Sequence, residues 1–370
     1  MLAAALPPFF NIPFANGAGA SYIRPIPQAS QIGVTPGAAS LADGFPPLCF
    51  LPVSAGGVPP FGQDMNGILN EITANLQWLQ AGGVPAYNAA FSAAIGGYPK
   101  GAVLASADGV GFWLCAVDGN GSDPDTGGAN WTAFGGGGTG CCRDLAGTSA
   151  GLAATATWTV AELTAARAVG GLSVKGAALS LSFNGATLGA NGMDSGAMPV
   201  SGSLYIYAIY NPVTRVWATL GTVAGNGAPV YSGGAMPTGY SYSALIWAGV
   251  TNNAGQFTGF VQQGRMVAFP RTQILSGGTA TVLTAVGIGS VVPYNAKSVS
   301  GDFSSGSSTA MTASIASTSG GIGTMYFNQG ISGGSEGWPF PDLVIYVPQT
   351  IYYGITGSGT LNMALSRYTF

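Results

Sequence analysis

Four side chains near the C-terminus have the types that a recognition surface needs. Trp338 and Phe340 stand with Glu336 and Asp342 in SGGSEGWPFPD, residues 332–342. Aromatic faces stack on sugar rings or apolar patches while carboxylates orient hydroxyls. The flanking glycines and prolines predict a loop there, whereas Tyr346, Tyr352 and Tyr353 in the strand-like runs that follow read first as core. Glycan hydrolysis by two carboxylates would have to draw on Asp144, Glu162, Asp194, Asp302, Glu336 and Asp342, the acids of the C-terminal half. No two of them form a local pair motif and each has a turn or capping alternative. We therefore expect no catalytic residue and no enzyme.

The chain contains no histidine, which removes Ser-His-Asp and Cys-His nucleophilic catalysis and the commonest zinc sites. Asp118, Asn120, Asp123 and Asp125 in DGNGSDPDTGGAN (118–130) carry oxygen ligands at short spacing, but the bidentate acid that closes an EF-hand loop is missing. Such runs make turns, and no metal or cofactor is expected. Cys49, Cys115, Cys141 and Cys142 have no metal-ligand spacing and read as thiols of a protein made in a reducing compartment. An inter-subunit bridge at Cys141-Cys142 stays open. Ten basic and thirteen acidic residues, scattered along the chain, give no phosphate-tracking stripe and argue against nucleic acid.

The elements that would position these groups follow from periodicity. Asp64–Leu79, DMNGILNEITANLQWL, is the one long stretch of helical period: Met65, Leu69, Ile72, Leu76 and Leu79 are spaced four, three, four and three, the pattern of a coiled-coil seam. Asp64 is expected to cap the first turn and Gly82-Gly83 to stop the last. Gly67 weakens the helix and Trp78 lies off the seam. On the residues alone, a helix packed on its own subunit and a self-associating helix are both open. The preceding segment is rich in Pro and Gly, with FFNIPF, YIRPIP and PPLCFLPV as apolar bursts, and predicts an extended arm laid along another surface.

Residues 84–134 read as a small antiparallel module, with GAVLAS and GFWLCAV joined around Asp108-Gly109 and a short return at Trp131–Phe134. Gly135–Gly138, within a linker at 135–140, predicts a joint about which the two sides move separately. Residues 141–370 carry about a dozen short strand-like runs between Gly, Ser and Asn turns, among them LYIYAIY, YSYSALIWAGV and IYYGI, and predict a β-sandwich or jelly roll. Ala161–Val169 could form a helical turn or two. The tetrapeptide Gly-Ala-Met-Pro occurs at 196–199 and 234–237.

Only 6% of the 370 residues are charged and 61 are glycine, against about 25% and 7% in ordinary soluble chains. Hydroxyls and amides, or other subunits, must cover such a surface. The long charge-free windows alternate in polarity and suit strands, not a membrane helix. MLAAALPPFF has no basic start and carries Pro7-Pro8 inside its apolar core, unlike a signal peptide.

These stretches support a resemblance. NIPFANGAG (11–19), the segment 25–73 from PIPQAS to LNEIT, and FSAAIGGYPKGAVLASADGVGFWLCAVDGNG within 91–131 resemble the N-terminal region of tail fibres from tailed bacteriophages and prophages. SGSLYIYAIYNP (201–212), MPTGYSYSALI (236–246), GQFTGF (255–260) and the ending QTIYYGITGSGTLNMALSRYTF resemble the distal domain of similar fibres. The resemblance implies a mainly β, elongated homotrimer: an arm and trimerising helix at 1–83 attach to the baseplate or tail tip, and 141–370 binds a receptor. A bacterial surface glycan, a pilus or an outer-membrane protein is the implied target. It also implies assembly in the bacterial cytoplasm and a place on the virion tail, with three copies of the helix meeting on one axis through Met65, Leu69, Ile72, Leu76 and Leu79. Glu336, Trp338, Phe340 and Asp342 are the receptor candidates. A glycan-cleaving fibre and a purely structural tail-tip connector are the alternatives. The segment around Tyr98, Gly101, Trp113 and Trp131 is similar in outline to small chitin-binding-type modules of tail proteins, with Trp113 and Trp131 read as core.

Overall fold

The computed structural model describes residues 8–134, 138–307, 309–329 and 334–370. Gly135–Gly137 of the expected joint and residues 332 and 333 of the aromatic-acidic stretch thus lie outside the described residues. The protein is mainly β with several sheets, and it divides into two compact units, Met1–Ala86 and Tyr87–Phe370.

The first unit is built on helix α1, Gly62–Gln80. Phe61 occupies the N-cap without a side-chain bond, so Asp64 sits inside the first turn and is not the expected cap. The C-terminal stop is a Schellman turn: Gly82 adopts φ 85°, the Gly82 N–H donates to the Leu79 carbonyl at 3.0 Å, and the Gly83 N–H donates to the Trp78 carbonyl at 3.0 Å. A side chain at 83 would collide with the Trp78 indole. The off-seam tryptophan is folded back over the turn.

The second unit opens with α2, Ala89–Ile95, whose Asn88 cap accepts from the Phe91 N–H at 2.9 Å. Val103–Ala105, Phe112–Cys115 and Trp131–Phe134 follow as a three-stranded antiparallel sheet, turned at the Asp108-Gly109 hairpin. The acidic loop between its last two strands is a set of turns. Asp123 accepts from the Asp125 N–H at 2.9 Å, Asp118 from the Lys100 N–H at 2.9 Å, and Asn120 from the Ser122 N–H at 3.1 Å.

A thirteen-stranded sheet dominates the unit. Its main order is Gly334–Val344, Ser298–Ser307, Thr360–Thr369, Met266–Gly278, Phe260–Gln263, Ala146–Ser149, Thr155–Ala166, Tyr242–Val250, Ser203–Asn211, Val216–Thr222 and Gly192–Met193. Cys142–Arg143 and Ser173–Asn184 pair with Thr155–Ala166 off that path. A four-stranded sheet runs Thr284–Gly287, Thr350–Thr356, Met311–Ala316, Met325–Gln329.

The runs LYIYAIY and ALIWAGV are continuously apolar because both faces of their strands are covered. One face joins the aromatic cluster of Trp158, Trp247, Phe257 and Phe260, and the other packs on Tyr207, Leu220 and Tyr231. Gln262, with no exposed surface, accepts from the Trp158 indole at 2.8 Å and donates to the Ile246 and Gly264 carbonyls. Its amide nitrogen and its oxygen both have partners inside this cluster. Ala161–Ala166 is strand and not the expected helical turn, since Thr155–Ala166 pairs with Ser173–Asn184 along its length. One hydroxyl links the second Gly-Ala-Met-Pro copy to the residue two places ahead of the first: Tyr231 donates to Asp194 at 2.9 Å and accepts from the Ala235 N–H at 3.1 Å. Burial pushes that phenol up to about 12.

Candidate functional site

Two stripes run down α1, one residue out of phase. The apolar stripe, Met65, Leu69, Ile72, Leu76 and Leu79, is largely in solvent in the single chain: Met65 is 45% exposed, Ile72 48%, Leu76 41% and Leu79 56%. The next stripe, Asn66, Asn70, Thr73, Gln77 and Gln80, repeats the same spacing with polar side chains, and the chain's own arm lies along it. Gln80 accepts from the Phe10 N–H at 2.8 Å, and Gln77 donates to the Asn11 carbonyl at 2.9 Å. Thr73 accepts from the Phe14 N–H at 2.8 Å, Asn70 donates to the Phe14 carbonyl at 2.6 Å, and Asn66 donates to the Tyr22 carbonyl at 2.8 Å. The arm therefore runs antiparallel to the helix, and its backbone N–H and C=O groups find partners in amide side chains and the Thr73 hydroxyl.

Past Tyr22 the arm crosses over the helix. The Arg24 carbonyl comes so close to Gly67 that an added Cβ would stand 2.0 Å from its oxygen. Gly67, which weakens the helix, is what admits the crossing. Asp64, with no exposed surface, takes a two-toothed pair from Arg24, with Nη2 at 2.8 Å, and accepts from the Ala39 N–H at 2.8 Å. Arg24 also stands over the Phe61 ring at 5.5 Å. The helix buries Asp64, Gly67 and Thr73, all polar or small, and leaves its apolar seam uncovered. That inverts the usual placement for a helix packed on its own subunit.

In the second unit, Arg167 gathers the small sheet onto the large one. Its guanidinium lies 3.2 Å from Asp108 and 3.6 Å from Asp125, over the Tyr242 ring at 5.6 Å. Tyr242 donates to Asp108 at 2.7 Å, and the Trp113 indole donates to Asp125 at 3.2 Å. Burial alone would raise the Asp108 carboxyl. Hydrogen bonds from Ser106, Tyr242 and the Val110 N–H, with Arg167, outweigh it and hold the group below its ordinary 3.8. A depressed carboxyl contributes stability above its unfolded value, and that contribution is lost as pH falls through the folded value. Protection against hydrogen exchange across 103–134, measured relative to the intrinsic rate at each pH, is accordingly expected to be flat near neutrality and to fall below about pH 3.8. Arg167→Met is expected to lower that protection at neutral pH by about 2 kcal/mol, because two half-buried acids lose their cation.

The structure divides the four C-terminal candidates. Gly334–Val344 is a strand, not a loop, and among the described residues it pairs with Ser298–Ser307 at the edge of the sheet. Pro339 and Pro341, which pointed to a loop, are tolerated because an edge strand has N–H positions that need no partner. Phe340 is 2% exposed, stacked on Phe303 at 6.4 Å, and belongs to the core. Trp338 is half-buried against Phe303 and Phe327. The register shifts between Val299 and Gly301, so Asp342 turns to the face opposite Phe340, where it is exposed and accepts from Ser300 at 2.7 Å. Glu336 stays half-exposed on the Trp338 side. Phe340→Ala is expected to cost about 3–5 kcal/mol in chemical denaturation. Asp342→Asn should stay within about 1 kcal/mol, so lost adsorption in that variant would report contact and not misfolding.

Three further acids of the C-terminal half are engaged locally, Asp194 by the Tyr231 hydroxyl already described. Arg271 grips Asp302 at 2.6 and 2.8 Å, and Glu162 lies 3.6 Å from Lys175. Among the described residues no group of three or more His, Cys, Asp or Glu could hold a metal ion, and no helix is long and apolar enough to cross a membrane. All four cysteines are free thiols, Cys115 buried and Cys141 exposed.

No protein-family model matches the chain, and no curated protein does. Among solved structures, an exo-β-1,3-galactanase from Phanerochaete chrysosporium, with galactose, aligns over 72% of this chain at 14% identity and a TM-score of 0.15. The alignment spans 64% of the galactanase chain. At that score the likeness bears on neither fold nor activity.

Proposed function

We propose that this chain is a structural fibre subunit of a tailed bacteriophage or prophage, three copies of which join along α1. The first unit would attach to the tail tip or baseplate, and the second, read as a β-sandwich, would meet a receptor on the bacterial surface. One observation carries the reading: the arm satisfies the polar flank of α1 and leaves Met65, Leu69, Ile72, Leu76 and Leu79 as a clean apolar seam. Within that seam Leu69 and Leu76 take the a positions and Met65, Ile72 and Leu79 the d positions, so its one β-branched residue stands at d and not at a, unlike the pattern that favours two helices. Charged residues at 6% fit a chain whose surface is partly covered by its own copies. The resemblance to tail fibres supplies the setting.

Sedimentation of the full chain at micromolar concentration tests the assembly, with a trimer expected and a stable monomer sinking the reading. Adsorption of the purified trimer to a panel of bacterial strains, with competition against phage infection, tests the receptor role.

A further inference from the structure

The arm wraps α1 from one flank of the seam round to the other, and the two flanks are complementary. On the flank of Asn66, Thr73 and Gln80, the e positions of the heptad, the Tyr22 carbonyl is pinned to Asn66 and the Tyr22 side chain is 69% exposed. On the far flank, at the g position of Ile68, a cavity of about 220 Å³ opens between the helix and residues 26–45. Ile26, Leu41, Phe45 and Ile68 make it apolar, and the buried Ser40 and Asp64 beneath them are already paired within the chain, Ser40 with Asp43 and Asp64 with Arg24 and the Ala39 N–H. That is a sleeve for an aromatic ring, whose hydroxyl would stay at the mouth.

Tyr22 cannot fill the cavity of its own chain. Positions e and g lie on opposite flanks of a helix about 10 Å across, and hydrogen bonds fix the Tyr22 backbone on the e flank. A three-fold axis makes the helices parallel and level, which sets the e flank of each against the g flank of the next. Asn66, which holds Tyr22, and Ile68, which floors the cavity, are two residues apart, or about 3 Å along the axis. We propose that Tyr22 of each subunit inserts into the Ile26–Leu41–Phe45–Ile68 cavity of the neighbouring subunit, a ring of three aromatic locks outside the helical seam. The inference rests on the trimeric reading and names the contact that would seal it.

The full chain carrying p-benzoylphenylalanine in place of Tyr22 tests it, prepared as a mixture of 14N and 15N subunits. Sedimentation before irradiation comes first. In a trimer, irradiation is expected to join position 22 to the 39–45 segment in peptides of mixed isotope content. A trimer whose cross-links fall within one chain, or on other segments, overturns the lock and leaves the trimer standing. A monomer overturns both. Separately, Tyr22→Ala, which alters an exposed side chain of the single subunit, is expected to raise the concentration at which the trimer dissociates about tenfold or more. An unchanged midpoint overturns the lock.

Discussion

Gly67→Ala is expected to release the arm from α1. In an ordinary exposed helix this substitution is stabilising, by about 1 kcal/mol. Here the new methyl would stand 2.0 Å from the Arg24 carbonyl oxygen, a backbone atom held in place by the Arg24 pair with Asp64 and by the Arg24 N–H bond to the Gln63 carbonyl. Neither partner can give way without dismantling the crossing. Overpacking of this kind costs about 1–3 kcal/mol, and the Arg24–Asp64 pair is lost with it, leaving Asp64 without its cation at a further cost of about 3–5 kcal/mol if it stays buried. Helicity of α1 should be kept while residues 9–39 become sensitive to protease. A variant with an intact, protected arm would show that the helix and arm are held by something other than this close approach.

Ile72→Asp has the largest expected effect on assembly. Ile72 is 48% exposed in the single chain, so the isolated subunit should tolerate the carboxylate with little change in its own unfolding. In the proposed trimer three such groups would meet on the axis, each desolvated beside two like charges, and each costs several kcal/mol. The dissociation midpoint should move up by at least about a thousandfold, since every 1.4 kcal/mol is tenfold. Sedimentation across a concentration series reads it directly. Retention of the trimer with Asp at 72 would place the seam elsewhere.

The contrast between these two positions shows what the chain discloses before it folds. Ile72 could be assigned from spacing alone, because a seam is a property of period. Gly67 could not, because its purpose is a carbonyl forty-three residues earlier in the chain, and intrinsic propensity registers only the weakness it brings to the helix. Asp64 was legible as a helix-start residue, and its actual role, a buried partner for Arg24, depends on the same crossing. In the β region, LYIYAIY and ALIWAGV announced buried strands, whereas Ser298–Ser307 is mostly Ser and Gly with Val299, Asp302 and Phe303 among them and carries little periodic signal, and Met311–Ala316 alternates over a run of six residues with only Met311 and Ile315 large. Their place in the sheets is set by partners. Phe340 and Asp342 show the same limit at the candidate receptor surface. Two residues apart, they would share a face of a regular strand, and a shift in register separates them.

The antiparallel course of the arm also decides how the first unit would bear load. Phe10 sits beside Gln80, at the end of α1 from which the chain leaves through Gly82. A pull applied between the segment before Phe10 and the segment after Gly83 therefore acts at one end of the paired arm and helix. The bonds at Gln80, Gln77, Thr73, Asn70 and Asn66 would open singly and in that order, like a zipper, with little resistance from each. The Arg24–Asp64 pair and the crossing at Gly67 come last, at the far end. They form the stop at which peeling must halt if the arm is to transmit tension.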